Sequence, residues 1–146
     1  MKINPRLILV TLLVMNIHPA RGGTAPSTLV INEIHYDEDI KTRRSEFIEI
    51  HNATPDAVDL TDWKLTGGVD YAFPEDTNIA SGAYLVIAED PATIRSQFSF
   101  HGAFGPWSGK LRNSGETVNL RDQDGTVISR ADYRLGFPWP TVGDAV

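Results

Sequence analysis

Hard oxygen donors crowd one stretch of the chain: Asp37, Glu38 and Asp39 follow His35, and Glu46 and Glu49 come soon after. Calcium takes about six to eight such oxygens, so a loop of this composition invites that ion. The register is wrong for a helix-flanked calcium loop, because Lys41 and Arg43 fall where further ligands and the turn glycine belong. A second acidic run, Asp122-Gln123-Asp124-Gly125, ends on the Asp-Gly pair that closes hairpins, and a turn explains it without an ion. His35, His51 and His101 are widely separated and form no short zinc-binding pair. Ser81-Gly82 and Ser108-Gly109 are ordinary turns, since neither sits in the Gly-x-Ser-x-Gly setting of a strained nucleophile. Glu33 and Glu49 could face one another across neighbouring strands, as paired carboxylates do in glycosidases. Each alternates with apolar residues, however, which is the pattern of polar side chains on the wet side of a sheet. The expectation is a chain with no catalytic residue, no metal site and no cofactor.

Binding has more to work with. Phe104-Gly105-Pro106-Trp107 and Phe137-Pro138-Trp139-Pro140 are aromatic, proline-rich loops. Rings on loops stack on sugars or anchor protein partners, which makes Trp107 and Trp139 the candidate binding residues and a protein or a surface polysaccharide the candidate partner. The same rings would serve equally well as plugs at the end of a β-sandwich, and the sequence leaves both readings open.

The elements that would position these residues have a period of two. Leu29 to Tyr36 and Glu46 to Asn52 read as strands, the second closed by the turn cluster Asn52-Ala53-Thr54-Pro55-Asp56. Shorter strand signals follow at Val58-Asp59-Leu60, Trp63 to Thr66 and Tyr71-Ala72-Phe73. Ala83 to Ala88 is an apolar run suited to a central strand, and Thr117 to Leu120 and Thr126 to Ile128 flank the Asp-Gly turn. One helix is expected, capped by Asp90 with Pro91 in its first position and Ile94 and Phe98 on one face. Many short strands with a single short helix specify an all-β, antiparallel sandwich.

Lys2 and Arg6 precede the apolar run Leu7 to Met15, and the small-x-small triplet Ala20-Arg21-Gly22 follows. That order predicts a signal peptide over residues 1–22, a linker over 23–28 and a single domain over 29–146. The apolar run is about half the 20 residues a membrane span needs, so no stable span is expected. A secreted, periplasmic or cell-surface location follows. With no cysteine the exported chain has no disulfide and must rely on its core. The net charge is −6, and removing Lys2, Arg6 and Arg21 makes it more negative. A negative field repels phosphate backbones, so nucleic acid is not an expected partner.

Seven segments, in order, carry a resemblance: Ile31-Asn32-Glu33-Ile34, Glu46 through Asn52, Leu60 through Leu65, Tyr71-Ala72-Phe73-Pro74, Ile79 through Val86, Leu111 through Asp122, and Tyr133 through Pro140. Together they resemble the lamin tail domain, the immunoglobulin-like domain of nuclear lamins, in the form found in secreted bacterial proteins. The resemblance implies an immunoglobulin-like antiparallel β-sandwich with Trp63 between the sheets, acting as a non-catalytic protein-interaction or targeting module. A carbohydrate-binding module and a small secreted metal-dependent hydrolase are the alternatives. Members of the family usually continue beyond the Trp-Pro segment to a last strand of the Ser-x-Glu-Leu type, whereas this sequence ends at Val146. A missing final strand, and a place in a longer multidomain protein, are therefore expected.

Overall fold

A computed structural model describes residues 28–36 and 44–134. The expected signal peptide, nearly all of the linker, the Asp37-Glu38-Asp39 loop and everything after Arg134, including Trp139, lie outside the described residues. Ten strands and one helix run in the order β1 (Leu29–His35), β2 (Phe47–Asn52), β3 (Val58–Asp59), β4 (Lys64–Gly67), β5 (Val69–Ala72), β6 (Asn78–Ile79), β7 (Tyr84–Ala88), α1 (Pro91–Phe98), β8 (Ser108–Gly109), β9 (Gly115–Arg121) and β10 (Val127–Arg134). All the named strand pairs are antiparallel. They form a three-stranded sheet, β1-β2-β7, a five-stranded sheet, β10-β9-β4-β5-β8, and the small pair β3-β6. The expected immunoglobulin-like sandwich with one short helix is what the chain forms.

Alternation explains the two layers. Ile48 and Ile50 on β2, with Leu85 and Ile87 on β7, point inward from the first sheet. Leu65, Val118, Leu120 and Tyr133 meet them from the second. Burying one such aliphatic side chain is worth about 1.5–3 kcal/mol, which is how a chain without disulfides holds its sheets together. Trp63 joins this core, as its size and position suggested.

Both edges of the three-stranded sheet carry contacts. β1 and β10 each carry a register shift, between Ile31 and Glu33 and between Val127 and Ser129. There the Ile31 amide donates to Ser129 Oγ at 3.0 Å, stitching one sheet to the other. On the far side the Phe104 segment runs along β7: the Ala88 amide donates to the Phe104 carbonyl at 2.9 Å and the Phe104 amide to the Val86 carbonyl at 2.8 Å. These contacts cover part of each edge and limit the room for an added strand.

The helix begins as expected. Asp90 Oδ1 accepts from the Ala92 amide at 3.0 Å, and Pro91 needs no partner for a missing N–H. The helix stops at Ser99, whose backbone is left-handed at φ 56°. Ile94 is buried, while Phe98 stays exposed and turns its edge toward Phe47 at 6.5 Å.

Candidate interaction surface

Of the carboxylates that suggested a metal loop, the two that are described, Glu46 and Glu49, do not converge. Residue parity in and beside β2 sends Glu46 toward the interior with Ile48 and Ile50, and Glu49 outward with Phe47 and His51. Glu46 is buried and accepts from the Leu111 amide at 3.3 Å. Glu49 accepts from Asn32 Nδ2 at 2.7 Å on the other side of the sheet. Two side chains on opposite faces cannot share one ion. Asp122 is likewise engaged with its own turn, accepting at Oδ1 from the Asp124 and Thr126 amides at 3.0 and 2.8 Å. Gly125 supplies the positive φ, 83°, that this hairpin needs. Among the described residues no three His, Asp or Glu side chains gather as a metal site would require.

Trp107 lies inside. It is 5% exposed and belongs to the core, so its ring face is closed to a sugar or a partner side chain, and it acts as the plug that was its other reading. Ser81 and Ser108 hold loops: their hydroxyls donate to the carbonyls of Thr54 and Asp70 at 2.7 and 3.4 Å.

Two buried polar assemblies went unread in the sequence. Asn52 has no exposed surface and ties three loop carbonyls together, its Nδ2 donating to Asp56, Ile79 and Ala80 at 2.8, 3.0 and 3.1 Å. Its Oδ1 accepts from the Thr54 amide and hydroxyl at 2.9 and 2.7 Å. At the other end of the sandwich the buried Tyr133 hydroxyl donates to Glu116 Oε1 at 2.9 Å and lies 3.0 Å from the Arg112 carbonyl oxygen. The same Glu116 oxygen accepts from the Arg112 amide at 2.7 Å. Burial, with the Glu116 carboxylate beside it, pushes the Tyr133 phenol far above its ordinary range, so it stays protonated and donates this hydrogen bond. Both assemblies hold loops in place.

What faces solvent on the three-stranded sheet is different. Register aligns Val30, His51 and Tyr84 in one row, Glu33, Glu49 and Val86 in the next, and His35 and Phe47 in a third beside the fully buried Ala88. His51 stacks on Tyr84 with centroids 4.4 Å apart, and His35 stacks on Phe47 at 5.1 Å. Tyr84 is 49% exposed, and Phe98 extends the third row. Glu33 and Glu49 face one another, the register shift between Ile31 and Glu33 having turned Glu33 outward. The Glu33 carboxyl is raised above its usual range by partial burial and then by the Glu49 charge. His35 and His51 share this face but stand in different rows, with the glutamates between them.

The sequence pattern of one known family runs through these strands from residue 23 to residue 134, described as Lamin Tail Domain. The chain belongs to the lamin tail domain family. This is a family of immunoglobulin-like, non-enzymatic domains of the protein-interaction type. No curated protein matches the chain at significance. For a lamin tail domain, the sheet faces and end loops are the places where a partner can meet the fold, and the aromatic rows make one of those faces unlike the other. Among the described residues no helix is long and apolar enough to cross a membrane.

Proposed function

We propose that this lamin tail domain is a non-catalytic interaction or targeting module that works outside the cytoplasm, delivered there by residues 1–22 acting as a signal peptide. The observation that carries the interaction role is the aromatic outer face of β1, β2 and β7, where half-buried rings flank Tyr84, 49% exposed on a strand rather than on a loop. Soluble domains usually keep polar side chains on such a face, and exposed apolar rows mark contact surfaces. The carbohydrate alternative began from Trp107 and Trp139; with the Trp107 ring in the core, it loses its anchor among the described residues.

Expression of the full chain in a bacterium with a secretory pathway, followed by intact-mass analysis of the cell fractions, tests delivery. Cleavage after Gly22 and recovery outside the cytoplasm are expected, and an uncleaved cytoplasmic product would overturn that part. For the non-catalytic part, the purified protein is assayed on ester, phosphate and glycoside substrates. Turnover that scales with protein concentration and is lost on unfolding would overturn it.

A further inference from the structure

We propose that the outer face of β1, β2 and β7 docks an extended segment of a partner protein with an arginine or lysine seated over Glu33 and Glu49 and apolar side chains on the two aromatic rows. This deepens the interaction reading and rests on it. Three observations lead to it.

The first is a charge pair that stabilises nothing. Glu33 and Glu49 are directly opposed across β1 and β2, and like charges so placed weaken a sheet. Neither has an ion-pair partner among the described residues, and Glu49 has only the neutral amide of Asn32. The outer face of the larger sheet handles its charges differently: Asp132 there is paired with Arg130 at 3.0 Å and also accepts from Thr117. A carboxylate pair with no cation beside it among the described residues is complementary to one brought by a partner.

The second is the flanking rings. Along β2 the outward residues are His51, Glu49 and Phe47, so the carboxylates lie between an aromatic row on each side. At about 3.4 Å per residue the rows are roughly 6.8 Å apart. Same-side residues of an extended partner segment have that same spacing. An apolar–cation–apolar pattern at alternate positions therefore matches ring, carboxylate and ring in turn, with the cation also near ring faces.

The third is the contacts at the edges. Ser129 and Phe104 each take up part of a flank of the sheet, which favours a partner that meets it through side chains on the face over one that adds a strand.

The test uses the full chain labelled with nitrogen-15 and an amidated synthetic peptide bearing leucine, arginine and leucine at alternate positions, with serine between them. A second peptide replaces arginine by citrulline, which keeps the shape and removes the charge. Amide shifts are expected at Phe47, Glu49, His51 and Tyr84, with about 10-fold weaker binding of the citrulline peptide, as one charge-assisted contact is worth. E33Q/E49Q should lose as much, and Tyr84→Ala should also weaken binding. E75Q/D124N, which removes two exposed carboxylates elsewhere, should bind like the parent. The assignment is overturned by any of four results: no binding at millimolar peptide, equal binding of the citrulline peptide, the same effect from both double variants, or shifts at these residues with cellohexaose alone. The citrulline comparison leaves the protein untouched, so it decides even if a variant fails to fold. Those failures are separable from failure of the non-catalytic reading, which turnover in the substrate panel would signal.

Discussion

Asn52 offers the sharpest test of how the fold is held together. Its amide nitrogen has two protons for three carbonyls, those of Asp56, Ile79 and Ala80, and its oxygen accepts twice from Thr54. Each satisfied bond contributes about 0.5–1.5 kcal/mol net, and a buried carbonyl left without a donor costs about 1–3 kcal/mol. Asn52→Ala removes about four effective bonds, some of whose partners can reach water, so a loss of about 3 kcal/mol is expected. For a folded unit of this size that lowers Tm by roughly 12 °C, at about 4 °C per kcal/mol. Asn52→Asp keeps the shape but sets an oxygen against three carbonyl oxygens in a site with no exposure. Desolvation and those dipoles would raise the new carboxyl above its unfolded value of about 3.9. A raised folded value favours the fold only at low pH, and that contribution is lost as pH rises through it. Asn52→Asp should therefore approach Asn52→Ala near pH 4 and fall well below it at pH 7.5. Urea unfolding followed by circular dichroism at the two pH values measures both. A loss under about 1 kcal/mol for Asn52→Ala, or the same gap between the variants at both pH values, would refute the idea that this side chain pins the loops.

Trp107→Ala should cost about 3–5 kcal/mol by thermal or urea melt, because the ring is core; an unchanged melt would mean it lies open. Tyr133→Phe removes the donor to Glu116 while keeping the ring, so a loss of about 1–2 kcal/mol is expected in the same melt. Glu33 titrates above its ordinary value, so its contribution to stability is present at low pH and is lost as pH rises through the folded value. Glu33→Gln should therefore be more stable than the parent at pH 7 and lose that advantage toward pH 4, which paired melts at the two pH values would show. Gly67 has φ 121°, and an added Cβ there would run into the Thr117 backbone. Gly67→Ala should lower the melting temperature more than Gly82→Ala, where there is open space, although both have positive φ.

The architecture was legible wherever alternation is strong. β2 and β7 alternate or run apolar and form strands as expected, although β7 lies at the edge of its sheet and not at its centre, its apolar run being matched by burial under the Phe104 segment. The helix was legible from its cap, since Asp90 and Pro91 act locally. β10 was read too short because Ser129-Arg130-Ala131-Asp132 carries little apolar signal, although the strand runs on to Arg134. Its pairing with β9 supplies what its own composition lacks, and Tyr133 is its one fully buried side chain, with Ile128 packed partly against the core. β6 and β8 are two residues each, too short for any period to show.

The surface was harder to see than the core, and the reason is geometric. Glu46 and Glu49 are three apart, a separation that looks like a cluster in sequence but that a strand sends to opposite faces. Phe47 and Tyr84 are far apart in sequence, yet β2 and β7 place them on one face, with His35 and His51 completing the rows. Local composition therefore drew attention to Trp107, on an aromatic loop that turns inward, and away from Tyr84, which sat unremarked in an apolar run. Applied to β1, β2 and β7 together, parity would have found the rows: once Ile48 and Ile50 are assigned inward, Phe47, Glu49 and His51 must point out. What parity cannot supply is the shift between Ile31 and Glu33, which turns Glu33 outward to oppose Glu49. The carboxylate pair at the centre of the face thus depends on a one-residue irregularity at the seam where β1 meets β10. Restoring regular pairing at that seam would move Glu33 toward the core, so the bulge sets the charge of the surface as well as the closure of the sandwich.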